Sequence, residues 1–308
     1  MEIEYSSLKN EAEKYWKWSR ARKEKKVPIE VANQGAGSEI RTPLMHYGAV
    51  LPVYLAAIRY IKTLKKKKIK ILELGCGTGR LLAFLKSEIP GSNILGTDFT
   101  IECIDYAKKH YEEDGLRFLT TNAKNTFLKM ESFDVVISSH VIEHLNKNDG
   151  RKFLIEAKKL IRKGGMIIIG TPERKWCQGV YGENPEEKAS KRLIIPHLHE
   201  YTKEEIKKLA YEVFGKDNFR VDLLKNKLFK KIFVSGVEKV KPGKWTNKYF
   251  RWIRDNTPRN VFDKVTKFGN RLNIFLGKTS YKEILFENRI IKDGGGVESE
   301  NLLLVGKK

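Results

Sequence analysis

One stretch, Ile69 to Leu82, constrains the fold more than any other part of the 308-residue chain. An apolar run that includes an acid, Glu73, leads into three alternating glycines and then into a new apolar pattern with helical spacing. Glycines are needed where a backbone turns sharply and comes close to a ligand, because a Cβ would block the approach. The following helix directs its first N–H groups and the positive end of its dipole toward that ligand. The stretch therefore predicts a strand, a tight turn and a helix that together bind a polar or anionic group.

The spacing of the glycines distinguishes two kinds of nucleotide site. A dinucleotide fingerprint, G-x-G-x-x-G, requires glycine where this chain has Arg80. Here the spacing is G-x-G-x-G, with Glu73 two residues before the first glycine. This resembles motif I of the class I S-adenosylmethionine (SAM) dependent methyltransferases, written Asp/Glu-x-G-x-G-x-G. The resemblance implies SAM as the cofactor and assigns cofactor binding to Glu73, Gly75, Cys76, Gly77 and Gly79.

A second strand end is suited to a nucleoside. The run Asn93 to Asp98 is a short strand that ends in an acid, roughly 20 residues past the glycines, where a carboxylate can accept hydrogen bonds from ribose hydroxyls. The alternative role is an ordinary N-cap for the helix that begins near Thr100. The spacing favours ribose binding by Asp98, and we place the adjacent Phe99 in the same predicted cofactor site.

A third strand, Leu116 to Thr121, is followed by Asn122 and Ala123. In the methyltransferases that this chain resembles, an acid at this position accepts a hydrogen bond from the adenine amino group. An amide oxygen can accept the same bond, so we include Asn122 and Ala123 in the predicted cofactor site.

The fourth predicted strand, Phe133 to Ser139, is followed directly by His140-Val-Ile-Glu143-His144. This resembles motif IV of the ubiquinone- and menaquinone-biosynthesis-like methyltransferases, and Ser138 joins the predicted cofactor site. The string also fits H-x-x-E-H of zinc peptidases, which needs a helix with both histidines on one face and a downstream carboxylate ligand. Because the string opens at a strand end after two nucleoside-type motifs, we predict no metal here.

The strands alternate with helices, and three more follow: Met166 to Gly170, Phe219 to Leu224, and Leu302 to Val305. This order predicts an α/β fold, a doubly wound, mostly parallel seven-stranded sheet with helices on both faces and an antiparallel last strand. Ligands bind at the carboxyl ends of such strands. The polar residues at those ends are Glu73, Asp98, Asn122, Ser138 and Thr171.

Around this core we expect four segments. Residues 1–64 form a helical cap or lid, or pack outside the sheet, and include an apolar helix over 48–64; residues 65–227 form the SAM-binding core; residues 228–297 form an insertion; and residues 298–308 contribute the final strand.

The chain carries 60 Lys and Arg against 38 Asp and Glu, a formal net charge of +22, which favours anionic partners. Residues 241–282 are basic and aromatic, with an amphipathic helix predicted after Pro258. Such a helix is a lid or dimer contact, a membrane or lipid-acceptor surface, or a nucleic-acid footprint. With neither a signal-peptide pattern nor an apolar run of about 20 residues, we expect a cytoplasmic protein, free or peripheral at the inner membrane face. Its oligomeric state is left open.

The resemblance implies a methyltransferase, in which an acceptor atom, oxygen before nitrogen or carbon, attacks the sulfonium methyl in line. The protein then mainly supplies proximity and alignment, worth up to ~7–11 kcal/mol. Three histidines are candidates for a general base, because an imidazole titrates near neutral pH: His140, His197 and His199. We expect a small-molecule, lipid or glycan acceptor; the alternatives are an RNA- or protein-directed enzyme and a non-catalytic SAM-binding protein.

Overall fold

The computed structural model describes residues 50–174, 197–215, 218–226, 288–290 and 301–308, together with Lys14. The helices of these residues are α1 Leu51–Thr63, α2 Arg80–Glu88, α3 Ile101–Tyr111, α4 Lys147–Leu160 and α5 Lys203–Phe214. The strands are β1 Lys70–Leu74, β2 Asn93–Asp98, β3 Leu116–Thr120, β4 Phe133–Ser139, β5 Ile161–Pro172, β6 Phe219–Asn226, β7 Asn288–Ile290 and β8 Asn301–Lys307. Most of the predicted cap (residues 1–13 and 15–49) and most of the predicted insertion, including residues 241–282, lie outside the described residues.

The strands form one sheet in the order β3-β2-β1-β4-β5-β8-β6-β7. Strands β1 to β5 pair in parallel, and β8 runs antiparallel between β5 and β6. The predicted seven strands and the antiparallel direction of the last one are confirmed. An eighth strand, β7, was not predicted; it pairs antiparallel with β6 and falls within residues 228–297. The strand order reverses at β1: β2 and β3 lie on one side of it, and β4 and β5 lie on the other. An open α/β sheet has its ligand crevice at such a point, here between β1 and β4.

Helices cover both faces of this sheet because side chains alternate along each strand. In β1, Ile71 packs into the apolar cluster that contains α1, α2 and α3. Its neighbours Leu72 and Leu74 pack into the opposite cluster, with α4 and α5. Two apolar layers therefore hold the sheet from both sides, and its strand ends stay accessible for polar groups.

Helix α1 confirms the apolar helix predicted over 48–64 and packs against the sheet. Ten of its 13 residues are buried. Val53 lies so close to Gly170 of β5 that a Cβ on this glycine would overlap it. The Tyr54 hydroxyl donates a hydrogen bond to Glu73 in β1, so this helix reaches the end of the first strand.

Strand β5 is longer than the predicted run Met166 to Gly170, because it begins at Ile161. The pairing of β4 with β5 contains an irregularity between Phe133 and Val135, and Gly164 adopts a positive φ of 72°. A glycine tolerates this backbone bend, so the strand continues through Gly164 and Gly165. No helix in the described parts of the chain is long and apolar enough to cross a membrane.

Candidate functional site

The glycine-rich turn joins β1 to α2 and is left-handed at all three of its glycines, including Gly79 with φ +76°. Gly75 has φ +83° and Gly77 has φ +52°, a region that side chains other than glycine rarely adopt. A Cβ on Gly75 would overlap the side chain of Val141. At Gly77, by contrast, no described heavy atom lies within 4 Å of that position. The turn thus packs tightly against the segment after β4 and faces open space at its middle glycine.

Asp98 at the end of β2 is hydrogen-bonded to this turn. Its Oδ2 accepts a bond from the Gly77 backbone N–H at 2.9 Å, and its Oδ1 accepts one from the Thr100 N–H at 3.0 Å. A carboxylate has about four acceptor positions, so two remain after these bonds. Asp98 therefore fixes the start of α3 and still has acceptor capacity toward a ligand. Phe99 beside it is 68% exposed, an open aromatic face next to the turn.

Glu73 is completely buried in β1. Its Oε1 accepts the hydrogen bond of the Tyr54 hydroxyl, while Oε2 has no hydrogen-bond partner among the described residues. Desolvation raises the pKa of this carboxyl from 4.5 to about 8, with the charge of Asp98 acting in the same direction and the Tyr54 hydrogen bond opposing it. A buried acceptor without a partner is unusual and would be satisfied by a donor on a bound ligand.

Other predicted cofactor residues have side chains that hold the protein frame. The Ser138 hydroxyl is buried and donates to the Leu74 carbonyl at 2.7 Å, which ties β4 to the end of β1. Burial raises the pKa of the Cys76 thiol well above its usual value, so this side chain stays a neutral space-filling group. The exposed Asn122 accepts from the Lys124 N–H at 3.0 Å in a local turn, which occupies one of its amide oxygen's acceptor positions. Ala123, beside it, is half-buried.

His140 follows β4 in a left-handed conformation, with φ +57°. Its backbone N–H donates to the Gly170 carbonyl at 2.9 Å, so pairing with β5 stabilises a conformation that is uncommon for a residue with a side chain. Desolvation lowers the pKa of the imidazole, and the nearby Glu143 opposes this effect. The neutral ring, which can accept a proton, is therefore favoured.

Glu143 lies in the short 3-10 helix Ile142–His144 and is completely buried. Its Oε2 accepts from the Thr171 hydroxyl at 3.0 Å. Its Oε1 lies 3.4 Å from His140 Nδ1 but makes no hydrogen bond with any described residue. Its backbone carbonyl accepts from the N–H groups of Leu198 and His199, at 2.8 and 3.0 Å. The segment that begins at His197 is thereby fixed against the 3-10 helix.

This docking places His197 beside His144, with ring centroids 4.9 Å apart and nearly perpendicular planes. His197 Nδ1 is 2.7 Å from Oε1 of the buried Glu200. His199 faces a different group: its ring packs edge-on against Tyr201, with centroids 4.5 Å apart, and lies 3.3 Å from the Arg174 guanidinium. The structure thus brings together two of the three predicted histidines, His140 and His197, and places His199 in a neighbouring cluster.

Two buried residues of the site were missed as functional candidates. Glu143 stands within the motif, and its Glu-His pair was a sequence signal that could have found it. Tyr54 carried no such signal, because its contact with Glu73 depends on how α1 packs. A shallow groove between α5 and β6, lined in part by Lys203, Tyr211 and Arg220, shares no residue with this site.

Comparison with known proteins agrees with this geometry. Residues 72–169, which run from β1 to β5, match the family model described as "Methyltransferase domain". The central part of the chain is therefore similar to a methyltransferase domain.

Curated relatives of this methyltransferase domain include two ubiquinone biosynthesis O-methyltransferases. That of Pelagibacter ubique is 34% identical over 106 residues, which cover 34% of this chain and 42% of the relative. That of Roseobacter denitrificans is 33% identical over 110 residues, covering 35% and 43%. The chain thus spans less than half the length of these relatives.

Solved structures share the fold of the methyltransferase domain. A SAM-dependent methyltransferase from Thermotoga maritima, described as a possible histamine N-methyltransferase, has a TM-score of 0.52 at 20% identity and covers 91% of this chain and 100% of its own. Phosphoethanolamine N-methyltransferase 2 of Haemonchus contortus, in complex with SAM, has a TM-score of 0.50 at 17% identity, with 79% and 49% covered.

Proposed function

We propose that the protein is a SAM-dependent methyltransferase that transfers the methyl group to an oxygen of a small-molecule, lipid or glycan acceptor. The observation that carries this proposal is the contact between Gly75 and Val141. Val141 stands between His140 and Glu143, so the glycine turn and the histidine segment share one interface. The turn proposed to bind the cofactor and the segment proposed to transfer a proton therefore lie side by side at the carboxyl ends of β1 and β4.

The described residues fit the SAM cofactor that this class of domain uses. Gly77 opens the turn to a ligand, Asp98 keeps two acceptor positions, and the buried Glu73 Oε2 is without a donor among the described residues. These three would hold the polar groups of the cofactor, which supplies an electrophilic methyl group when bound. The domain itself then has to align the acceptor and exclude water.

His140 is the proposed general base, by its position. It follows β4 directly, its ring is hydrogen-bonded to the Asn301 side chain, and its backbone is held by Gly170. A hydroxyl acceptor has to lose its proton during transfer, and a positioned imidazole can accept it. The His197 ring interacts with Glu200, and the His199 ring lies beside Arg174. We therefore expect these two histidines to position other groups.

Transfer to oxygen is favoured over nitrogen by the relatives that match above 30% identity, because both are described as O-methyltransferases. The two solved neighbours described with N-methyltransferase names are at or below 20% identity and support the fold alone. RNA- or protein-directed transfer would depend on residues 241–282 and stays a prediction, as does contact of that segment with a membrane.

The test separates cofactor binding from transfer. Calorimetry measures SAM binding to the protein, and incubation with methyl-labelled SAM and separate small-molecule, lipid, glycan and RNA extracts identifies the acceptor pool. Asp98→Ala should weaken SAM binding by about 10- to 100-fold, as expected for loss of hydrogen bonds to a charged group. Asp105→Ala, at an exposed position of α3, is the matched control and should bind normally. Absence of SAM binding by the unaltered protein would refute the proposal, and binding without any labelled product would support the non-catalytic alternative.

A further inference from the structure

We propose that Glu143, His144 and His197 form a binding site for a divalent transition-metal ion. One possible ligand atom from each residue lies within 4.8 Å of the other two. The three side chains come from two segments about 50 residues apart, so their grouping is a product of the fold. The site differs from the H-x-x-E-H arrangement considered above, because His197 takes the place of His140 in the group.

The buried carboxylate of Glu143 supports a cation at this position. The residue is completely buried, and only its Oε2 is hydrogen-bonded, to the Thr171 hydroxyl. Its Oε1 has no hydrogen-bond partner within the described ranges. A buried carboxylate oxygen without a donor is costly. A metal ion bound at Oε1 would compensate the charge and complete the coordination of this oxygen.

His197 is oriented as metal-binding histidines commonly are. Its Nδ1 lies 2.7 Å from Oε1 of Glu200, which is completely buried. A carboxylate at one ring nitrogen fixes the tautomer and leaves the other nitrogen, Nε2, as the ligand. The backbone bonds from Leu198 and His199 to the Glu143 carbonyl hold the ring in place. Glu200 is therefore a positioning residue for the site.

The donor set indicates the kind of metal. Two imidazole nitrogens and one carboxylate oxygen suit zinc and neighbouring transition metals, whereas magnesium prefers oxygen ligands and retained water. Three protein ligands leave at least one coordination position open. Ligand atoms of a tetrahedral ion with bonds of about 2.1 Å are roughly 3.4 Å apart. The side chains therefore have to close by at most about 1.4 Å from the 4.8 Å spacing.

A metal at this place has a consequence that rests on the proposed function. An acceptor hydroxyl bound at the open position would lose its proton more readily, because a divalent cation stabilises the alkoxide or phenolate. The proton would pass to a nearby base such as His140 or to water. The metal site itself does not depend on this step and is tested without it.

The experiment uses cobalt(II) as a spectroscopic probe on the tag-free full chain after treatment with a chelator. Cobalt with few ligands and imidazole donors gives visible absorption bands, and zinc should displace it. We expect one cobalt per chain. The bands should be lost in Glu143→Gln and in the double variant His144→Asn/His197→Asn, and Glu200→Gln should bind cobalt about 10- to 100-fold more weakly. The control His110→Gln, an exposed histidine of α3, should bind as the unaltered protein does.

Circular dichroism and SAM calorimetry on the same samples verify that each variant is folded. The proposal is overturned by the absence of cobalt bands in the folded, unaltered protein, or by bands of equal strength in the double variant. Methyl transfer by protein that binds no metal would overturn the metal site and leave the proposed function intact. Metal binding without methyl transfer to any acceptor would support the metal site and overturn the proposed function.

Discussion

In the cofactor-free protein, replacing Glu73 by Gln should remove most of the fall in unfolding free energy that the titration of Glu73 causes as pH rises. Burial raises the pKa of this carboxyl from 4.5 to about 8, so the folded state retains a proton that the unfolded chain releases above pH 4.5. The folded state binds more protons in this window, and the free energy of unfolding therefore falls as pH rises through it. Below pH 4.5 both states are protonated and the group contributes nothing to the pH dependence.

The magnitude follows from the shift. Each pKa unit corresponds to about 1.4 kcal/mol, so the rise from 4.5 to about 8 amounts to about 5 kcal/mol across the window. Between pH 5 and pH 8 the unaltered protein should lose about 4 kcal/mol more than Glu73→Gln does. Glutamine has nearly the same shape and does not ionise, so other titrating groups cancel in the difference.

Urea unfolding of both proteins at half-unit steps from pH 5 to pH 9 measures the effect. If the difference in unfolding free energy between the two proteins stays constant with pH, the raised pKa of Glu73 is refuted. If the unaltered protein instead becomes relatively more stable as pH rises, the pKa of Glu73 is lowered by folding. Tyr54→Phe provides a second measurement. The Tyr54 hydrogen bond lowers the pKa of Glu73, so its loss should extend the decline in stability above pH 8.

Three further outcomes follow from single contacts. Gly75→Ala, where the new Cβ overlaps Val141 at φ +83°, should destabilise the fold by about 1–3 kcal/mol and weaken SAM binding measured by calorimetry. Gly77→Ala meets no described atom within 4 Å and should lose about 1 kcal/mol through its positive φ alone, as urea unfolding would show. Thr202→Ala removes the capping box of α5 and should lower the unfolding free energy by ~1 kcal/mol, with SAM affinity unchanged.

The seven predicted strands could be read from the sequence because they depend on local patterns. Each strand is a short apolar run bounded by polar or glycine residues, and the alternation of strands with helices determines a parallel sheet. The short β7 could not be found this way, because three residues carry no periodicity and pair only through the neighbouring β6. The Thr202–Glu205 capping box at the start of α5 is also a local sequence pattern, and it is present in the structure.

The site was less predictable because its decisive contacts are long-range. The grouping of His144 with His197 requires backbone bonds from Leu198 and His199 to the Glu143 carbonyl, and a sequence motif does not encode them. Asn122 lies at a predicted strand end, but its amide oxygen accepts a hydrogen bond from the Lys124 N–H within its own turn. Strand-end position alone therefore identifies where polar groups lie, and the side-chain contacts decide which of them are available to a ligand.

Two buried acids show why the ends of β1 and β4 act as one functional edge. Glu73 and Glu143 are both completely buried, and each has one oxygen bonded to a hydroxyl, of Tyr54 and Thr171 respectively. In each, the second oxygen has no hydrogen-bond partner among the residues that the structure describes. Such oxygens destabilise the ligand-free fold, and ligands that satisfy both would remove this cost. In our two proposals, Glu73 binds the cofactor and Glu143 binds a cation, on the two sides of the contact between Gly75 and Val141.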